Sequence, residues 1–306
     1  MNLWLPLAIG GHLLNACAFL IDKALLSTSF KRSGTYAALI GGLSCLALFA
    51  LPWAPMPPAI AWLPMAGFGS LFVLALWTFF EALRRGEATR VVPIIGSLIP
   101  VFTLLDTSIL VGERLPTNGY IGFAILVLAT FILSSGPEKE RLDRKTIVIC
   151  VLSAFLFAAS SALGKLAFLE GGFLSVFVWS RFFAAATAIL IALLATGVKA
   201  ELAKLVFIKN SQTAVEEGFK LGLMIFGQMA GAFGFLLVQL AISQGSAAIV
   251  NALQSVQYAV LVLVAWFGGE KLAEILHEHR TTRAFFTKGS AILLVAFGLY
   301  LITHAG

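Results

Sequence analysis

Ten stretches of roughly twenty apolar residues leave this chain one solvent in which to fold, the interior of a lipid bilayer. They fall at about 3–26, 34–52, 60–83, 88–111, 117–135, 146–168, 172–196, 219–243, 246–268 and 284–304 of the 306 residues. A helix crosses about 30 Å of hydrocarbon in roughly 20 residues, so ten spans with short connections take up most of the sequence and leave hardly anything for a soluble domain. Charge agrees: 12% of residues are charged, where a soluble domain carries about a quarter. The second stretch is short and runs into Pro52, Pro55, Pro57 and Pro58, whose missing amide donors and fixed φ end a helix. No basic segment precedes the first stretch, since the first cations are Lys23, Lys31 and Arg32; it is expected to remain as a span.

Residues 79–115 recur in outline at 237–272. In both copies an apolar helix ends at a glycine, Gly86 or Gly245. A second apolar helix then runs to a Gly-Glu-basic-Leu corner, Gly112 to Leu115 or Gly269 to Leu272. Unrelated helical hairpins rarely share both marks, so the chain reads as one membrane unit written twice. From Glu138 to Lys145, seven of eight residues are charged. That run is the seam between a first repeat at 1–136 and a second at 146–306, with 137–145 as connector. Five spans per half make the halves inverted with respect to each other, as in many secondary transporters, whose sites lie near the midplane. The fold expected is therefore an all-α integral membrane protein, ten transmembrane helices as two inverted five-helix repeats around a central cavity.

Nearly all Lys and Arg lie in connections after the odd-numbered spans, while the opposite connections hold Arg114 and, at a helix end, Lys165. If basic loops stay in the cytoplasm, both termini face outward. The net charge of +6 forms no clustered face of the kind nucleic acid requires, so it anchors and orients the chain. Cys17, Cys45 and Cys150 show no metal or disulfide spacing and read as packing residues.

Polar groups inside apolar runs face a cavity or a neighbouring helix, because lipid cannot satisfy them. In the first span His12, Asn15 and Asp22 share one stripe; cross-helix bonding explains His12 and Asn15 as well as a substrate contact does. The ninth span carries the richest donor and acceptor surface, Asn251, Gln254, Ser255 and Tyr258 at i, i+3, i+4 and i+7, with Gln257 beside it. The corresponding fourth span offers Pro93, Ser97 and Pro100. Arg181 sits among Trp179, Phe182 and other aromatics; its permanent charge needs water, an acid or an anion, unless it snorkels to the interface. Asp106 is the one acid well inside an apolar run, which makes it a candidate for coupling to a proton. Trp77, Gln228 and Gln239 are further candidates for a cavity wall.

Several of these residues are similar to a known pattern. Ala82, Leu83, Arg84, Arg85, Gly86, Glu87 and Ala88, the 93–100 segment, and Gly112, Glu113, Arg114 and Leu115 resemble the signature of the EamA family in the drug/metabolite transporter superfamily. A degenerate version stands in the second half at Ala241, Gly245, Ala247 and Gly269 to Leu272. Lys23, Lys165, Arg181 and Phe182 match positions where that family often places basic and neighbouring residues. The resemblance implies ten helices in two inverted repeats, a central cavity, and export or exchange of amino acids, other metabolites or drugs, with no cofactor. The chain departs from it in the charge-free 52–58 connection and in a long seventh connection, 199–220. Many relatives place their termini in the cytoplasm, which opposes the charge count.

The leading expectation is a monomeric secondary transporter of small organic solutes in the plasma membrane, an exporter, coupled to a proton or counter-substrate. His12, Asn15, Trp77, Ser97, Arg181, Gln228, Asn251, Gln254, Ser255 and Tyr258 are the candidate substrate contacts, and Asp106 the coupling candidate; no metal is expected. A lipid-carrier flippase or a channel of the same superfamily is the alternative. A lipid-modifying membrane enzyme ranks lower, because His277 and His279 lie in a loop while Asp22 and Asp106 sit on different helices. No nucleotide-binding loop is present to support direct drive by ATP.

Overall fold

The computed structural model describes residues 3–25, 32–86, 88–134, 142–206, 214–270, 272, 276 and 281–304. Residues 137–141 of the connector, Lys271 of the second corner, His277 and His279 lie outside them, as do the side chains of Asp22, Lys23, Lys204 and Lys220. Among the described residues, ten helical segments are long and apolar enough to cross a membrane, and the protein is an all-helical, ten-span membrane protein.

The helices are α1 (Trp4–Leu25), α2 (Ser33–Leu43), α3 (Trp62–Arg85), α4 (Ala88–Leu110), α5 (Thr117–Ser134), α6 (Arg144–Gly171), α7 (Phe173–Leu194), α8 (Val198–Val206), α9 (Ala214–Gln244), α10 (Ala247–Ala252), α11 (Gln254–Phe267) and α12 (Thr282–Thr303). Three differ from expectation. The second span continues from α2 as a 3-10 helix, Ser44–Trp53. At about 2.0 Å of rise per residue against about 1.5 Å for an α-helix, these two pieces reach roughly 36 Å, so a short stretch still spans. The long seventh connection holds α8, whose Val198 is buried with Ala38, Val73 and Ile191. The ninth span, expected as one helix, is two, α10 and α11, parted at Leu253.

The corners at the ends of α4 and α11 are built alike. Gly112 has φ +66 and Gly269 φ +94, a region that glycine enters without strain and that commonly ends a helix. At the first corner the Thr107 carbonyl accepts the amides of Val111 (3.0 Å) and Glu113 (3.2 Å).

The chain forms two compact units, one containing α1, α5 and α9 to α12, the other α2 to α4 and α6 to α8. In the first unit α1 packs along α9 and touches α11, and α5 packs on α12. Gly11 and Gly234 let α1 and α9 approach: a Cβ at Gly11 would collide with the Gly234 carbonyl and Val238, and one at Gly234 with Asn15. Small residues of this kind bring membrane helices into close contact. In the second unit α6 packs along α3 and α4, and α2 packs on α3 and α7. Ser160 Oγ of α6 donates to the Phe68 carbonyl of α3 at 2.8 Å, and Ser153 Oγ to that of Ala75 at 3.2 Å. Each unit thus takes helices from both halves of the sequence. The halves at 1–136 and 146–306 are a division along the chain, and the compact units are a different one.

Candidate functional site

Spans that touch lipid show exposed residues along one face. Among the described residues, the three longest segments that show none are 64–83 of α3, 90–104 of α4, and 247–262 of α10 and α11. An apolar helix screened on every side is an inner helix, and the polar groups on it answer to protein, water or solute. Trp77, Ser97, Asn251, Gln254, Ser255 and Tyr258 all lie on these inner segments.

In the first unit, His12 is 5% exposed and its Nε2 lies 2.8 Å from the Val250 carbonyl, across from α1 to α10. A carbonyl only accepts, so Nε2 carries the proton and Nδ1 is left as an acceptor. The Gln257 side chain of α11 approaches the same ring. That contact is looser than the first, since Nδ1 has no direct hydrogen-bond partner. Asn15, one turn further along α1, is half-buried over Gly234 of α9.

Gln254 Nε2 donates to the Tyr258 hydroxyl at 3.1 Å. Along the expected polar stripe, Asn251 and Gln254 are half-buried whereas Ser255 and Tyr258 are buried, and Ser255 Oγ has no direct partner. The face therefore grades from solvated to enclosed. Gln228 is half-buried on α9; Gln239 is buried there with Oε1 unpartnered. Gln254, Gln257 and Tyr258 follow the Leu253 break in α11, and His12 bonds Val250 before it.

In the second unit the candidates are spread along separate helices. Trp77 packs against the cluster of Ala38, Val73, Ala188 and Val198. Ser97 Oγ donates back to the Pro93 carbonyl of its own helix at 2.6 Å. Asp106 has one carboxylate oxygen, Oδ2, that is buried without a direct partner. Arg181 does not snorkel. It is 2% exposed and lies 5.0 Å from the Phe68 ring centroid and 4.9 Å from that of Phe177. It donates to Ser180 Oγ at 2.9 Å and to the Phe177 carbonyl at 3.2 Å. The two aromatic faces and the Ser180 hydroxyl are thus partners of the guanidinium in this apolar setting.

Three charged arrangements stand outside the polar stripes of the spans. Glu81 accepts from Arg84, Arg85 and Ser33, and its i, i+3 and i+4 spacing was a usable signal. Glu201 of α8 accepts from Thr35, for which no local pattern speaks. Both carboxylate oxygens of Glu113 are buried without a direct partner, and Lys165 of α6 is the neighbouring cation. Among the described residues no group of three or more His, Cys, Asp or Glu could hold a metal ion.

Residues 2–135 match the EamA-like transporter family. No curated protein matches the chain. Among solved structures, one crystal structure superposes with a TM-score of 0.66 over 97% of this chain and 95% of the other. Its identity of 15% establishes a shared fold and nothing about substrate.

Proposed function

We propose that this chain, whose residues 2–135 match the EamA-like transporter family, is a secondary transporter of small organic solutes acting by alternating access. The family is one of drug/metabolite-type membrane transporters, and this reading adds that the protein exports its solute across the plasma membrane as a monomer. Two inverted five-helix repeats remain part of the reading. They are supported by the matched roles of α1 and α6, each the first helix of its half and each packed on the third and fourth spans of the other half.

The observation that carries the site is the polar face of the inner ninth span. Asn251, Gln254, Ser255 and Tyr258 lie on a helix with no exposed residue between 247 and 262, and neutral amide and hydroxyl groups there suit a polar solute. His12, Asn15 and Gln228 belong to the same unit and extend this face. Asp106 is the proposed coupling carboxylate. Trp77, Ser97 and Arg181 are assigned secondary parts, since each already spends its packing or polar capacity on its own unit.

Purified protein in proteoliposomes should show saturable flux of at least one compound from a panel of amino acids, nucleosides and cationic drugs. In Gln254→Ala and Tyr258→Phe the apparent KM for that compound should rise about tenfold, the equivalent of one lost polar contact of about 1.4 kcal/mol. Translocation of a polyprenyl or phospholipid probe with every soluble compound unmoved would replace this reading with a flippase. Conductance without saturation would replace it with a channel.

A further inference from the structure

The break at Leu253 has no cause in its own sequence. Asn251, Ala252, Leu253 and Gln254 include neither proline nor glycine, the usual agents of a sharp helix interruption. Yet α10 stops at Ala252 and α11 starts at Gln254. In a continuous helix the Val250 carbonyl would accept the amide of Gln254. Here it is held at 2.8 Å by His12 Nε2 from α1, and the side chain of Gln257, beyond the break, approaches the same ring. One imidazole therefore touches both pieces of the span.

We propose that His12 is a positioning residue of the transporter, a pin that holds the ninth span open at Leu253 by taking the carbonyl its ladder gives up. The pin sets the rotation of α11 relative to α10, and with it the presentation of Gln254 and Tyr258. This rests on the reading of the ninth span as the solute-binding face, but the break itself can be observed without any solute.

The imidazole offers a test by shape. A glutamine amide nitrogen superposes on imidazole Nε2 and an asparagine amide nitrogen on Nδ1, so His12→Gln can reach Val250 and His12→Asn cannot. Hydrogen exchange read by mass spectrometry on peptides covering 247–260, in detergent-purified full-length protein, reports the ladder directly. Wild type and His12→Gln should share one exchange pattern across the break. His12→Asn and His12→Leu should share another, shifted by at least threefold in rate at these amides and unchanged in α5 and α12. In proteoliposomes the KM of the Asn and Leu variants should rise together, and by more than that of His12→Gln.

Identical exchange in all four proteins would overturn the proposal, whatever their flux. So would loss of flux in His12→Gln with exchange unaltered, which would make the imidazole a direct solute contact. If wild type moves no compound, the exchange comparison still decides the pin while the transport reading fails separately. A Leu variant that does not fold leaves the Gln and Asn pair to decide.

Discussion

Gly112 ends α4 at φ +66 with nothing within 4 Å of the place a Cβ would occupy. Its requirement is purely one of backbone conformation, which permits a clean measurement. Gly112→Ala should cost roughly 1–2 kcal/mol, the penalty an L-residue meets in the left-handed region. Gly112→Asn should recover part of it, because Asn enters that region more easily. Thermal unfolding of the detergent-purified variants should therefore rank wild type above Asn above Ala; equal melting of all three would remove the conformational explanation of the corner. The twin Gly-Glu corners were legible in the sequence as punctuation, and the positive φ at Gly112 and Gly269 supplies their cause. Gly86 works differently. Its φ is −133, and its lack of a side chain serves a close approach by Leu142 and Val91.

At the scale of elements, α8 shows how a connection becomes part of a unit. Arg32 Nη1 donates to the Thr196 carbonyl at 2.7 Å and its guanidinium covers Gly197, itself at φ +77. Thr35 Oγ1 donates to Glu201 at 2.8 Å, and Val198 enters the core beside Ala38 and Val73. The polar contacts are partly solvated, so together they contribute on the order of 1 kcal/mol. Glu201→Ala should then raise amide exchange in 198–203 about fivefold while leaving α3 and α6 unaffected. Exchange that stays at the wild-type rate would assign the docking of α8 to Val198 and Leu202 alone. Elements of this kind explain what sequence could and could not supply. The ten spans were legible because length and apolarity are properties of a segment by itself. The docking of α8 and the break at Leu253 were not, because the responsible partners, Thr35 at 166 residues' separation and His12 at 238, leave no mark on the local pattern.

Across the whole molecule, the two halves read from the sequence and the two compact units in space divide the chain differently. The first helix of each half leaves its own half: α1 packs on α9 and α11, and α6 on α3 and α4. An apolar stripe states that a helix is to be buried and carries no address for its partner, so this exchange was not legible in 1–136 or 146–306. Its physical consequence is that neither half contains the helices of a complete unit. A chain of residues 1–136 lacks α6, against which α3 and α4 bury Ala82, Val91 and Ile95 together with Cys150 and Ala154. Alone it leaves α1 with its Gly11 surface uncovered by α9. Expressed separately, each half should be degraded or aggregate in detergent. Co-expressed, with the chain cut between 136 and 146, the halves should co-purify as one monodisperse species and restore flux, because both units can form once both sets of helices are present. A first half that is monodisperse and resistant to protease by itself would show that α1 to α5 form a self-sufficient bundle, and the exchange of α1 and α6 would then not be the organising feature of the fold.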